Sequence, residues 1–164
     1  MDTIILSTGH KYGHNLKEIK GFFGPWRFLS NFHYFPVELD GVVYKTNEHA
    51  YQAAKTVIPE EREKIRLADK PIEARRRGQL VTFRSGWEDI KLATMHDLNC
   101  QKYADQKLGT MLLESGDAYL EETNHWGDVF WGVCGGVGEN HLGRILMTIR
   151  LHLKQINQFS FVSF

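Results

Sequence analysis

Six apolar residues near the C-terminal end, Leu142, Ile145, Leu146, Ile149, Leu153 and Ile156, stand at i, i+3, i+4, i+7, i+11 and i+14. That spacing sets them on one side of an α-helix of about four turns. A stripe so long has to be covered by the rest of the chain. Arg144, Arg150 and Lys154 fall elsewhere on the helix, so the expected element has one buried face.

The preceding chain predicts several shorter elements. Val37–Leu39 and Val42–Tyr44 flank Asp40-Gly41, a strong hairpin signal, and residues 20–24 look extended. Helices are expected over 47–57, 59–68, 71–79, 87–103 and 105–114. Pro59 and Pro71 suit a first helical turn, and Glu60 and Glu61 suit the positive end of a helix dipole. Residues 118–122 suggest a strand. Strands do not alternate regularly with helices, so the class is α+β: a helix-rich single domain with a small antiparallel sheet. A chain of 164 residues is long enough for a real core.

Composition removes some partners. Lys plus Arg equals Asp plus Glu at 20 each, so nothing global draws the chain to nucleic acid. Arg75-Arg76-Arg77 is either a local basic patch or the solvated end of a helix before Gly78. Cys100 and Cys134 are 34 residues apart, with neither C-x-x-C nor zinc spacing, which predicts a reduced, cytoplasmic protein. Residues 1–16 hold no long apolar run, so neither a signal peptide nor a membrane span is expected. The eight histidines form no ligand motif, and no metal is expected.

Four stretches can carry chemistry. In N-E-H-A-Y-Q-A-A-K, residues 47–55, Glu48, Tyr51, Gln52 and Lys55 share one helical stripe while Ala50, Ala53 and Ala54 share another. A polar stripe is ordinarily solvated. Here Glu48 and Lys55 are too far apart for the usual i, i+4 ion pair, and Tyr51 is an odd choice for a wet face. Thr46 or Asn47 can cap the helix.

G-G-V-G-E-N-H-L-G, residues 135–143, runs into the last helix. It includes Gly138 and Asn140, and it is either a tight turn with Asn140 as a plain N-cap or a phosphate-binding helix start. It is neither a Walker loop nor a dinucleotide fingerprint. N-H-W-G-D-V-F-W-G, residues 124–132, brackets Asp128 with Trp126 and Trp131. It is either a core cluster or a stacking surface with a candidate acid or base. G-P-W-R-F-L-S-N-F, residues 24–32, offers Arg27 for a phosphate and Ser30 and Asn31 for a sugar or base edge. Otherwise it is a loop clamped by Phe28, Leu29 and Phe32. No nucleophile elbow is present, and carboxylates, amides and one lysine suit acid–base work at a glycosidic carbon better than acyl transfer.

F-L-S-N-F at 28–32, T-N-E-H-A-Y-Q-A-A-K at 46–55, W-E-D-I-K at 87–91 and the W-G-D…G-E-N-H-L-G-R-I-L-M stretch at 126–147 together resemble the NADAR family, to which the YbiA-type N-glycosidases belong. The resemblance covers residues 20–153 and implies a YbiA-like α+β domain over 20–157. Residues 1–19 are then an N-terminal extension and 158–164 an apolar tail that either adds an edge strand or frays. Many bacterial members carry an Asp straight after the second Trp-Gly. Val133 stands there in this chain and the acid comes earlier as Asp128, which resembles a W-G-D-x-x-W-G subgroup.

The resemblance implies hydrolysis of an N-glycosidic bond on a phosphorylated ribose, without a cofactor. Two substrate classes come with it: ribosylamino-pyrimidine intermediates of riboflavin synthesis, and ADP-ribose on guanine, as a nucleotide or within nucleic acid. Carried over, Glu48, Lys55, Trp87 and Asp128 line the pocket, and Asn31 and the loop ending at Asn140 hold the ribose phosphate. On this reading Glu48 or Asp128 orients the attacking water and stabilises an oxocarbenium-like state. Lys55 neutralises a phosphate or tunes the carboxylate, and Trp87 with Trp126 or Trp131 sandwiches the base. The competing expectation is a non-catalytic module that binds ADP-ribose or a nucleotide. Such a module has no need of the two carboxylates.

Overall fold

The computed structural model describes residues 3–5, 11–13 and 16–160, with side chains from 16 to 158. It is α+β and helix-rich. The chain divides into two compact units, one formed by residues up to 30 together with those from 103 onward, the other by residues 31–102.

In the first unit, β1 (Thr3–Ile5) pairs antiparallel with β2 (Lys11–Gly13). β3 (Glu18–Lys20) is followed by a 3₁₀ helix, Gly24–Leu29, with Pro25 in its first turn. The extended stretch expected at 20–24 therefore lies earlier. Gly21 turns the chain with φ +80°, a conformation that ends a strand. The 3₁₀ helix buries Phe28 and Leu29, and the Phe28 carbonyl accepts a hydrogen bond from the Tyr103 hydroxyl at 3.0 Å.

The second unit opens with the expected hairpin. β4 (Val37–Leu39) and β5 (Val42–Tyr44) pair antiparallel, with Val37 opposite Tyr44. Asp40 and Gly41 both have positive φ, as a two-residue hairpin loop of primed type requires. α1 (Asn47–Ala54) follows and contacts both α2 (Pro59–Arg66) and α3 (Pro71–Gly78). α4 (Trp87–Ala104) contributes Met95 and Leu98 to this core. α1 ends at Ala54, three residues before the expected stop, and Lys55 is its C-cap.

α5 (Gln106–Glu114), capped by the Asp105 carboxylate on the Leu108 N–H, returns the chain to the first unit. β6 (Tyr119–Glu121) pairs in parallel with β3, joining Ile19 to Leu120. β7 (Thr123–Asn124) pairs in parallel with β8 (Val133–Cys134). Among the described residues, the small antiparallel sheet expected from the sequence is instead four separate two-stranded pairs, two of them parallel.

α6 (His141–Ser160) packs on β6 and α5 through Leu142, Leu146 and Ile149. Two residues depart from the predicted face. Ile156, one turn beyond Leu153, is 61% exposed. Arg150, expected outside, is buried: its guanidinium donates to Ser115 Oγ at 2.7 Å and to the Ala118 carbonyl at 2.8 Å. Lys154 reaches the same turn, donating to the Gly116 carbonyl at 2.9 Å. Both cysteines are free thiols. No helix among the described residues is long and apolar enough to cross a membrane.

His49 sits in the first turn of α1 with no exposure. Its Nε2 lies 3.1 Å from the Ala68 carbonyl, which can only accept, so Nε2 carries the proton. Nδ1 then accepts from the Thr46 hydroxyl at 2.8 Å, and Thr46 Oγ1 in turn caps the helix by accepting from the His49 N–H. Burial pulls the His49 pKa below its ordinary 6.5. The unfolded chain therefore takes up this proton at a higher pH than the folded one does. His49 contributes stability fully above about pH 6.5, and that contribution declines as pH falls from there towards the folded pKa. Urea unfolding at pH 7.5 and pH 5.5 is expected to show a drop in stability that is smaller in His49→Gln than in the native chain.

Candidate active site

The most enclosed collection of polar side chains in the second unit is built on α1. An eight-residue helix is too short to be stable alone, so its neighbours hold it. All eight residues are buried, those of the polar stripe included. Ala50, Ala53 and Ala54 let other elements come close on one side. The polar stripe is therefore not a solvated face.

Glu48 starts the stripe, 7% exposed, with its backbone N–H donating to the Asn31 carbonyl at 3.1 Å. Its Oε1 accepts from Gln52 Nε2 at 2.8 Å, one turn along. Tyr51 meets Trp87, the first residue of α4, with ring centroids 5.2 Å apart and a 55° tilt. Lys55 completes the stripe from the cap position. Its Nζ stands 5.6 Å from the centre of the Tyr51 ring and 5.7 Å from that of Phe83, within cation–π range of both. Its backbone carbonyl accepts from the Arg84 N–H at 2.7 Å, tying it to the 80s loop.

Burial lowers the Lys55 pKa, the attraction of Glu48 raises it, and Arg75 lowers it further. The result lies below the ordinary lysine value of 10.5. An amine held this way gives up its proton more readily than a surface lysine.

Asn31 lies beneath this group. Its Nδ2 donates to Met95 Sδ at 3.1 Å, and its Oδ1 faces Asn47 Nδ2 and Asn99 Nδ2, each at 3.4 Å. Asn99 also donates to the Met95 carbonyl at 2.9 Å. The structure therefore brings Asn31, Glu48, Tyr51, Gln52, Lys55 and Trp87 together in one unit. Phe83, Asn47 and Asn99 join them, and sequence reasoning did not single these out as site residues. Phe83 lies in the loop between α3 and α4, where the sequence carried no signal for it. Asn47 was read only as a cap.

The remaining candidates belong to the first unit. Arg27 is exposed on the 3₁₀ helix, and Ser30 is buried at its end with its N–H on the Arg27 carbonyl. Asp128 Oδ1 accepts from the backbone N–H groups of Phe130 (3.2 Å) and Trp131 (2.8 Å). The loop is knotted by Asn124, another residue passed over in the sequence. Its Oδ1 accepts from the Trp126 and Asp128 N–H groups, and its Nδ2 donates to the Asp128 and Val133 carbonyls. Trp126 is 59% exposed, whereas Trp131 is half-buried with its ring against Phe130 and His141.

Asn140 is buried, with φ +54°. Its Nδ2 donates to the Leu120 carbonyl (2.8 Å) and the Tyr119 hydroxyl (3.0 Å), and its Oδ1 accepts from the Glu122 N–H (3.0 Å). The side chain thus extends the edge of β6 instead of capping α6. Gly138 comes close to the backbone of Gly132 and Val133, where a β-carbon would sit 2.9 Å from Val133 Cα. Among the described residues no group of three or more His, Cys, Asp or Glu side chains converges to hold a metal ion.

Residues 12–154 match the family model described as NADAR domain. The chain is 35% identical over 129 residues to the N-glycosidase YbiA of Escherichia coli, a match covering 76% of this chain and 80% of that protein. It is 35% identical over 141 residues to a riboflavin biosynthesis protein of Vibrio vulnificus, covering 84% of this chain but only 38% of the relative's length. An N-glycosidase of Nostoc punctiforme is 33% identical over 140 residues, covering 80% of this chain and 88% of that one. The NMR structure of E. coli YbiA superimposes with a TM-score of 0.76 at 31% identity, covering 88% of this chain and 90% of that one.

Replacing Asn140 by Ala leaves the Glu122 N–H and the Leu120 carbonyl without these partners. Asn140→Ala is expected to lose about 1–3 kcal/mol per group left unsatisfied, read as a lower urea midpoint with or without a ligand.

Proposed function

The chain belongs to the NADAR family, and from that premise we propose that it is an N-glycosidase that hydrolyses the C1′–N bond of a phosphorylated ribosyl compound. The observation that carries this reading is the enclosed group on α1: a carboxylate, a lysine of lowered pKa and two aromatic rings within one unit. The names of the relatives support it, since two are N-glycosidases and one is a riboflavin biosynthesis protein. Of the two substrate classes the ribosylamino-pyrimidine phosphates come first for that reason, ahead of ADP-ribosylated guanine.

The chemistry asks three things of the protein. As the C1′–N bond breaks, its electron pair moves to nitrogen and positive charge grows on the sugar. Glu48 supplies a fixed negative charge for that cation and accepts a proton from the attacking water, whose oxygen bonds to C1′. The departing nitrogen has to gain a proton, and Lys55, with its weakened hold, is the donor in this reading. Tyr51 and Trp87 offer ring faces to the leaving base. The products are the free base and a ribose phosphate with a reducing end.

Glu48→Gln is expected to fold like the native chain and lose about 10²–10⁴-fold in turnover, the range of positioned proton transfer. Asp128 is tested by itself through Asp128→Asn, which keeps an oxygen for the Phe130 and Trp131 N–H groups. A similar loss there assigns it a chemical role, and native turnover assigns it to the loop alone. The assay follows free base and reducing sugar from ribosylamino-pyrimidine phosphate and, separately, from ADP-ribosylated guanosine. Binding of either compound without release of base, in the native protein, establishes a binding module instead.

Lys55 adds a pH signature. If its ammonium protonates the leaving group, activity falls on the alkaline side at a pH below 10.5, because burial depresses its pKa. Lys55→Arg is expected to remove that alkaline limb while keeping the charge. An unchanged limb in Lys55→Arg assigns the titration to another group.

A further inference from the structure

Gln52 stands on the same stripe as Glu48, and its spacing suggests a substrate contact. Its surroundings point elsewhere. The side chain is 4% exposed and runs along α3 at Gly78, the last residue of that helix. A β-carbon at position 78 would overlap Gln52 Oε1 and would stand 2.6 Å from its Cβ and 2.8 Å from its Cδ. The whole length of the glutamine therefore lies against a glycine that has no room for any other residue. Gly78 is not at a turn needing positive φ, so the absence of a side chain serves the close approach.

At its other end Gln52 donates Nε2–H to Glu48 Oε1 at 2.8 Å. An amide N–H can only donate, so the carboxyl offers a lone pair at this contact. The amide oxygen, Oε1, is buried without a hydrogen-bond partner. A buried unpaired carbonyl costs about 1–3 kcal/mol. Turning the amide over would point that oxygen at the Glu48 carboxylate instead. The arrangement keeps the donor on Glu48 and leaves the acceptor against Gly78.

We infer that Gly78 and Gln52 form a clamp that positions the Glu48 carboxylate, with Gln52 acting through Glu48 and not on substrate. Gly78 fixes the path of the Gln52 side chain, Gln52 fixes one oxygen of Glu48, and the other oxygen is aimed as a result. The inference rests on the proposed catalytic role of Glu48.

Gln52→Met keeps the length of the side chain and removes the donor. It is expected to reduce kcat about 10²-fold, the cost of a misplacement near 1 Å, while KM stays within about threefold. The decisive comparison is Gln52→Met in the Glu48→Gln background, followed by single-turnover release of base at high enzyme concentration. Positioning through Glu48 predicts that the second substitution adds no further loss beyond about twofold. A loss of the same factor in both backgrounds means that Gln52 works independently, and it overturns the clamp. So does native kcat in Gln52→Met. Gly78→Ala is expected to repeat the kcat loss with KM preserved. Should that variant fail to fold, judged by its thermal midpoint, the Gln52→Met cycle decides alone. Native turnover in Glu48→Gln itself defeats the catalytic assignment rather than the clamp, so the two failures are told apart.

Discussion

A short helix buried on every side has to find hydrogen-bond partners for most of the polar atoms it carries inside, and in α1 the oxygens Asn47 Oδ1 and Gln52 Oε1 go without one. α1 is such a helix, and it holds Asn47, Glu48, His49, Tyr51 and Gln52 within eight residues. Leaving buried polar groups unpaired costs several kcal/mol, enough to undo a fold of ordinary stability. The surrounding unit is organised around that demand. Thr46 and the Ala68 carbonyl hold the imidazole, Asn31 faces Asn47, and Gln52 holds Glu48. The alanines and Gly78 let the neighbouring elements lie close against α1. A carboxylate mounted this way has few rotamers open to it, and a reacting group needs that kind of rigidity.

The first unit meets a different difficulty with a related device. Its strands are two or three residues long, too short for ladders to hold loops in place. Amide side chains do that work. Asn140 continues the bonding edge of β6, and Asn124 ties four backbone groups of the Trp-Gly loop. Gly143 lets α6 lie against β6, because a β-carbon there would meet the Leu120 carbonyl and the Asn140 side chain. Glycines and asparagines that look in the sequence like a ligand loop are thereby a packing device.

What could be read from the sequence follows from the range of the interactions concerned. The Asp40-Gly41 hairpin, the Thr46 cap, the prolines at the starts of α2 and α3 and the period of α6 are all local, and they are found where local rules put them. The two parallel pairs were not legible. β3 meets β6 about a hundred residues later, and strands of two or three residues carry no alternation to announce a partner. Arg150 was misplaced because a hydropathy period sorts residues by charge, whereas this guanidinium is satisfied inside by Ser115 and Ala118. In the candidate site the spacing of Glu48, Tyr51, Gln52 and Lys55 was visible. That the stripe faces inward, and that Gln52 lies on Gly78, depends on helix packing, which no period records. Phe83 escaped notice for the same reason: only the tertiary fold sets it beside Lys55.

The environment of Lys55 shows how one helix stripe can set two opposed tendencies against each other. Removal from water favours the neutral amine, and Arg75 adds to that. Glu48 and the faces of Tyr51 and Phe83 favour the ammonium. With the first tendency stronger, the proton is held but held loosely. Moving Lys55 to a solvated surface would remove the first effect, and moving Glu48 away would remove much of the second. The separation of seven residues keeps the two groups from collapsing into a tight ion pair, which would hold the proton firmly. In the reaction proposed here one group has to accept a proton and another to give one. The spacing on α1 keeps those two capacities apart while leaving them within electrostatic reach of each other.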